Sequence, residues 1–256
     1  MEALSGLELA YCAVVLLITF IITEARVSMP LMPLALFKLR NVTSANVIGV
    51  LWAAGMFAWF FITTLYLQAV LGFTPFQIGL VFLPANLIMA AFSLGLSAKI
   101  VMRFGIRRPL AVGLFLGALG LALMGRAPLD ANVIVDVLPS MVLLGIAAGI
   151  AFNPVLLAAM ADVAPEESGL ASGIVNTAFM MGGSLGLAVL ASLAAGRTQT
   201  LIASGVPSVE ALNGGYHVAF IVGAIFAVLS AVIGATLIRV NMNAQQAGDA
   251  PEMAVH

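Results

Sequence analysis

Long apolar runs separated by short polar breaks dominate the chain, and each run is apolar all the way round rather than along one helical stripe. A hydrocarbon core of about 30 Å is crossed by about 20 apolar helical residues. Seven runs reach that length: 7–23, 46–69, 78–98, 109–126, 133–160, 169–195 and 216–238. Hydrocarbon offers no water to satisfy backbone amides, so each run is predicted to be an α-helix. Strands would need a closed barrel and alternating polarity, which is absent. The expected fold is all-α, a polytopic transmembrane helix bundle of seven spans. It divides into an isolated helix over 1–24, a cytoplasmic linker over 25–45 rich in proline and basic residues (Pro30, Pro33, Lys38, Arg40), a six-helix unit over 46–240 and a short disordered tail over 241–256.

Composition agrees. Hydrophobic residues are 62% of the chain and charged residues 8%, against about 45–50% and about 25% in soluble domains. The lipid bilayer is therefore the expected solvent and first partner.

The few charges are placed unevenly. Arg26, Lys38 and Arg40 follow the first run, Lys99, Arg103, Arg107 and Arg108 separate the third from the fourth, and Arg239 ends the seventh. Only Arg126 and Arg197 fall on the other side, so the positive-inside bias predicts an outer N-terminus and a cytoplasmic C-terminus. The first run is expected to be retained rather than cleaved as a signal, because Glu2 and Glu8 stand where a signal carries positive charge. The single cysteine, Cys12, lies inside it and can form neither an internal disulfide nor a cysteine metal cluster.

Runs two to four and five to seven form two three-helix units of opposite topology, the arithmetic of an inverted repeat. Between the third and fourth runs the chain reads Arg103-x-Gly105-x-Arg107-Arg108. Gly105 permits a tight turn, and the arginines can meet helix-terminal carbonyls or lipid phosphate. Simple anchoring by positive charge is the competing reading.

That loop resembles the cytoplasmic signature of the major facilitator superfamily, in the weaker copy of its C-terminal half. Tyr66-Leu67-Gln68, the stretch Gly72-Phe73-Thr74-Pro75-Phe76-Gln77-Ile78-Gly79 and Phe82-Leu83-Pro84 look like the junction of the second and third runs in drug:proton antiporters of the fourteen-span type. Residues 171–177, containing Asn176, and 182–188, containing Gly182, Gly183 and Gly186, resemble the penultimate span of that type. The resemblance covers 7–240 and matches only the last seven spans. It implies a bacterial plasma (inner) membrane protein exporting amphipathic or cationic drug-like compounds against protons, with a missing N-terminal six-helix half as partner. The loop's usual acidic residue is absent near Met102, and Phe179, Met180 and Met181 stand where relatives often carry polar or basic groups.

Within this frame the candidate residues are few. Asp136 is the carboxylate expected inside a span, about two turns from its outer end, and is the candidate proton site; a wetted interfacial acid is the bland alternative. Trp52, Met56 and Trp59 share roughly one face, with Phe60 beside it, and suit bulky apolar or cationic compounds unless they are ordinary packing. Gly145, Gly149 and Asn153 recur at four-residue spacing before Pro154, which favours a kink; the glycines form a groove for close helix contact, and Asn153 is a candidate for substrate or helix contact. Asn176, Met180 and Gly183 also recur at helical spacing, where contact between domains competes with contact to substrate, and Gly182, Gly183 and Gly186 suggest close packing. Glu166 and Glu167, close to Asp162, are expected to complement a helix N-terminus.

An enzyme is not expected. Gly182 to Gly186 spells Gly-x-Ser-x-Gly around Ser184, but the hydrolase elbow needs a strand before it, and His217 would lie far from it in depth. The only lysines, Lys38 and Lys99, fall in loops, which removes a retinal Schiff base. No metal-ligand spacing or phosphate loop occurs, no cofactor is implied, and a formal net charge of -1 argues against nucleic acid. The runner-up is a truncated, non-transporting membrane protein or a scaffold that binds partner helices.

Overall fold

Among the described residues, six helices long and apolar enough to cross a membrane run back and forth through the computed structural model. They are α1 (Arg40–Ala69), α2 (Pro75–Phe104), α3 (Arg107–Met124), α4 (Val133–Met160), α5 (Ser168–Ala203, led in by the 3-10 turn Pro165–Glu167) and α6 (Ser208–Leu237). The structure describes residues 34–239 without a break and, before them, Tyr11, Val15, Leu16, 18–20, 22–24, Arg26 and Val27. The described positions from Tyr11 to Arg26 are helical, as expected of the first run. Cys12, Pro30, Pro33 and the tail from 240 lie outside the described residues.

α1 starts at Arg40, earlier than the apolar run at 46, because its polar first turn has partners on α6. Arg40 Nε donates to the Leu237 carbonyl at 2.9 Å and its Nη2 to Thr236 at 3.3 Å, closing the C-terminus of α6 with positive charge. Asn41 Nδ2 donates to the Arg239 carbonyl and to Asp162 Oδ2, both at 2.8 Å, and Asn41 Oδ1 accepts from Arg239 N at 2.9 Å. At the opposite end the loop after α3 is held by α1 and α6. Tyr66 OH donates to the Pro128 carbonyl at 2.6 Å, Asn213 Nδ2 donates to Ala127 O at 3.1 Å, and His217 Nε2 lies 2.8 Å from the same oxygen.

The junction before α2 is a capping box. Thr74 Oγ1 accepts from Gln77 N, Gln77 Oε1 accepts from Thr74 N at 2.9 Å, and Pro75 supplies the preset first helical residue. The turn between α2 and α3 rests on Gly105 at φ +76°, the tight turn expected there. Arg103, Arg107 and Arg108 are exposed around it, and the Arg103 guanidinium lies 5.3 Å from the Phe104 ring. Glu166 and Glu167 stand just before α5, close to its N-terminal dipole but without a side-chain capping bond.

Between apolar helices in lipid, close van der Waals packing replaces a hydrophobic driving force, and small residues allow it. α1 is the central element, packed on α5 and α6, with Trp52, Trp59, Ile62, Tyr66 and Leu67 fully buried. α5 presents its glycines to it: a Cβ on Gly182 would overlap Val50 Cα, one on Gly186 would overlap Ala54, and one on Gly183 would lie 2.7 Å from the Phe57 ring. α4 does the same toward α2, since a Cβ on Gly145 would stand 2.8 Å from Ala85 O and one on Gly149 2.6 Å from Phe92 Cβ. Both stripes were legible as close-packing faces. α4 continues helically through Pro154 to Met160. The break in the bundle falls instead at Gly95, φ +118° and ψ -5°, within a wide turn over Phe92–Leu96 of α2.

Candidate functional site

α1, α2, α4 and α5 leave a cavity between them in two compartments. One, of about 200 Å³, is lined by Gly49 and Trp52 of α1, Phe152, Val155 and Leu156 of α4, and a face of α5 from Ser172 to Phe179 that includes Asn176. The other, of about 310 Å³, is lined by Trp52, Met56, Phe57 and Phe60 of α1, Met89 and Ser93 of α2, Gly149, Phe152 and Asn153 of α4, and Phe179. Trp52, Phe152 and Phe179 belong to both and form the partition. Phe179 meets Phe152 edge-on at 5.7 Å and Phe57 at 6.1 Å, so one α5 ring ties α1 to α4.

None of the lining side chains is charged. Polarity comes from Asn153 and Asn176, one in each compartment, and from Ser93 and Ser172. Neither asparagine amide makes a hydrogen bond among the described residues. Other hydroxyls of α5 behave differently: Thr177, Ser184, Ser192, Thr198 and Thr200 each donate to the carbonyl four residues back, and Ser168 to the one three back. Apolar aromatic walls with a few free polar groups are the general form of a small-molecule site.

Of the residues singled out in the sequence, Trp52, Met56, Phe60 and Asn153 come together in the larger compartment, and Asn176 joins Trp52 in the smaller. The four-residue rhythm 52–56–60 selects this face of α1. Trp59 lies behind it, fully buried, 5.8 Å from the Phe82 ring of α2 and 4.3 Å from Phe60. Met180 is about half exposed and lines neither compartment. Phe57, Met89, Phe152 and Phe179 were missed as lining residues; Phe152 adjoins Asn153, and Phe179 stands one turn beyond Asn176.

Asp136 lies one turn into α4, nearer its end than the sequence suggested. Its Oδ2 accepts from Asn132 N at 2.8 Å, while Asn132 Oδ1 accepts from Ile134 N at 3.0 Å. About 18 Å of helix axis separates it from Ala148 at the cavity. The Gly-x-Ser-x-Gly stretch is helical, and Ser184 Oγ donates to the Met180 carbonyl at 2.6 Å. Among the described residues no group of three or more His, Cys, Asp or Glu side chains is placed to hold a metal.

The chain matches the family model described as Major Facilitator Superfamily over residues 9–187. It is 32% identical over 239 residues to the puromycin resistance protein pur8 of Streptomyces alboniger, covering 90% of this chain and 47% of that protein. It is 33% identical over 218 residues to the cephamycin export protein CmcT of Amycolatopsis lactamdurans, covering 85% and 43%. The multidrug transporter protein MdtP of Bacillus subtilis is 26% identical over 190 residues, covering 74% and 35%. This chain therefore spans about half the length, or less, of the curated relatives it matches. The match over most of the chain, on six membrane-length helices, makes it an integral membrane protein that belongs to the Major Facilitator Superfamily.

Proposed function

We propose that this chain is the C-terminal half of a drug:proton antiporter of the fourteen-span type, exporting amphipathic or cationic drug-like compounds across a bacterial plasma membrane. The observation that carries the reading is the uncharged, aromatic-lined cavity with a free amide in each compartment. Aromatic faces attract organic cations at about 0.5–2 kcal/mol each without a fixed counter-charge. Met56 and Met89 adapt to irregular apolar shapes. The named relatives, concerned with puromycin, cephamycin and multidrug transport, support a drug-sized organic substrate.

The cavity lies between four helices of one half, and the relatives are about twice as long, which supports an N-terminal six-helix half as the partner that completes it. Asp136 is this chain's candidate proton group; at about 18 Å from the cavity it would couple through α4 rather than by contact with substrate.

The test is accumulation of ethidium in a drug-sensitive bacterium expressing this chain alone, or together with the N-terminal half of the puromycin-resistance relative. Lowered accumulation that a protonophore abolishes, in the paired cells only, is the expected result. Efflux by the chain alone would overturn the need for a second half. Failure of the pair would favour the non-transporting or helix-binding reading.

A further inference from the structure

Trp52 lines both compartments, yet only 2% of it is exposed. The rest of the indole is withdrawn toward α3, where Gly117 makes the room. A Cβ built on Gly117 would overlap Cζ3 and Cη2 of that ring and would stand 3.3 Å from Ala147 Cβ of α4. Gly117 sits in regular helix without a positive φ, so its conformation does not call for glycine; the space does. The other glycines of this stripe have their nearest neighbours on α4: Gly113 faces Ile150 and Ala151, and Gly120 faces Leu144. Gly117 is the member of the stripe whose missing side chain is replaced by a ring that walls the cavity.

We propose that Gly117 is a specificity-determining residue that acts through Trp52, setting the width of the cavity and with it the largest organic cation the cavity admits. This rests on the cavity being the substrate site, as read above. The rigid indole cannot compress, and a close-packed interior transmits a displaced methyl group rather than absorbing it. α3 stands behind the ring, so a side chain at 117 drives it the one way that is open, into the compartments. Gly117 touches no substrate; it is a positioning residue.

The experiment is calorimetric titration, in nanodiscs, of this chain paired with the N-terminal half of the puromycin-resistance relative, with two probes of the same charge, tetraethylphosphonium and tetraphenylphosphonium. Gly117→Ala is expected to weaken the larger probe roughly tenfold while leaving the smaller within about twofold, the scale on which one methylene in a pocket discriminates. Trp52→Phe combined with Gly117→Ala restores the ratio, because the shorter ring clears the added methyl. Gly120→Ala, whose added methyl would crowd Leu144 first, disturbs packing against α4 and leaves the ratio unchanged. Trp52→Phe alone shifts the ratio the opposite way, toward the larger probe, and decides the matter if Gly117→Ala does not fold. A ratio unmoved by either Gly117→Ala or Trp52→Phe overturns the proposal and leaves the cavity reading standing. No binding of either probe to the unaltered pair overturns the cavity reading itself.

Discussion

Asn41 ties the first turn of α1 to the backbone N–H and C=O of Arg239 and to the Asp162 carboxylate. Asn41→Ala removes all three bonds and leaves part-buried groups to be rehydrated. At about 0.5–1.5 kcal/mol per bond the expected loss is about 2 kcal/mol, read as a lower thermal midpoint in detergent. An unchanged midpoint would mean that water already replaces these bonds. The cavity amides predict the opposite pattern. Asn153→Ala and Asn176→Ala lose no hydrogen bond among the described residues, so stability should hold while binding of a probe carrying a hydrogen-bonding group falls by about 1 kcal/mol in equilibrium titration. Asp136→Asn keeps an oxygen to accept from Asn132 N, so the helix start should survive within about 0.5 kcal/mol. Any change in the proton dependence of transport by the paired protein would then belong to the lost ionisation. Residue chemistry that depends on partners was not legible in the sequence. Asp136 was read there as a proton site or a wetted acid, without its bond from Asn132 N, and Asn41 binds across 121 and 198 positions, where the sequence could place it only in a linker.

Two glycines of α2 isolate a backbone effect at the scale of one helix. Neither has another group within 4 Å of a built Cβ, so packing is silent at both. Gly95 adopts φ +118°, which costs a residue with a side chain about 1–3 kcal/mol. Gly79 lies in the regular helix Pro75–Ala91, where alanine gains up to about 1 kcal/mol in helix propensity. Gly95→Ala is therefore expected to destabilise and Gly79→Ala to be neutral or stabilising, in one set of detergent melts. If both behave alike, the break at Gly95 contributes nothing specific. Ser97 supplies a second mark of the break: its buried hydroxyl has no partner, and the residue four positions back, Ser93, lies in the wide turn. The helices themselves and the stripes at Gly145–Gly149 and Gly182–Gly186 were readable because length and four-residue spacing are local, while the Thr74–Gln77 junction was reached by resemblance and not by its capping chemistry. The break was not. A glycine in an apolar run looks the same in sequence whether, like Gly149, it admits a neighbouring helix or, like Gly95, it bends its own.

At the scale of the whole molecule, the basic side chains gather at one end of the bundle. Lys38, Arg40, Lys99, Arg103, Arg107, Arg108 and Arg239 stand where α1 begins, α2 ends and α6 ends, while Arg126 and Arg197 lie toward the opposite end. Sequence alone reached this division, because alternating spans assign every loop to a side. Charge asymmetry of this kind sets orientation through retention of cationic loops on the cytoplasmic side. The exposed arginines of the α2–α3 turn strengthen the argument: they have no acidic partner among the described residues, and an unpaired guanidinium keeps its full cost of crossing hydrocarbon. At the opposite end Tyr66, Asn213 and His217 hold the Ala127–Pro128 carbonyls. Two single-cysteine variants in a Cys12→Ser background test this directly. Ser204→Cys, beyond the end of α5, should react with a membrane-impermeant maleimide in intact cells, and Arg108→Cys only after the membrane is opened. The reverse pattern would invert the bundle and place the Arg103–Arg108 turn outside. Labelling of both in intact cells would mean that the chain on its own inserts in two orientations, so that a further part of the protein is needed to choose between them.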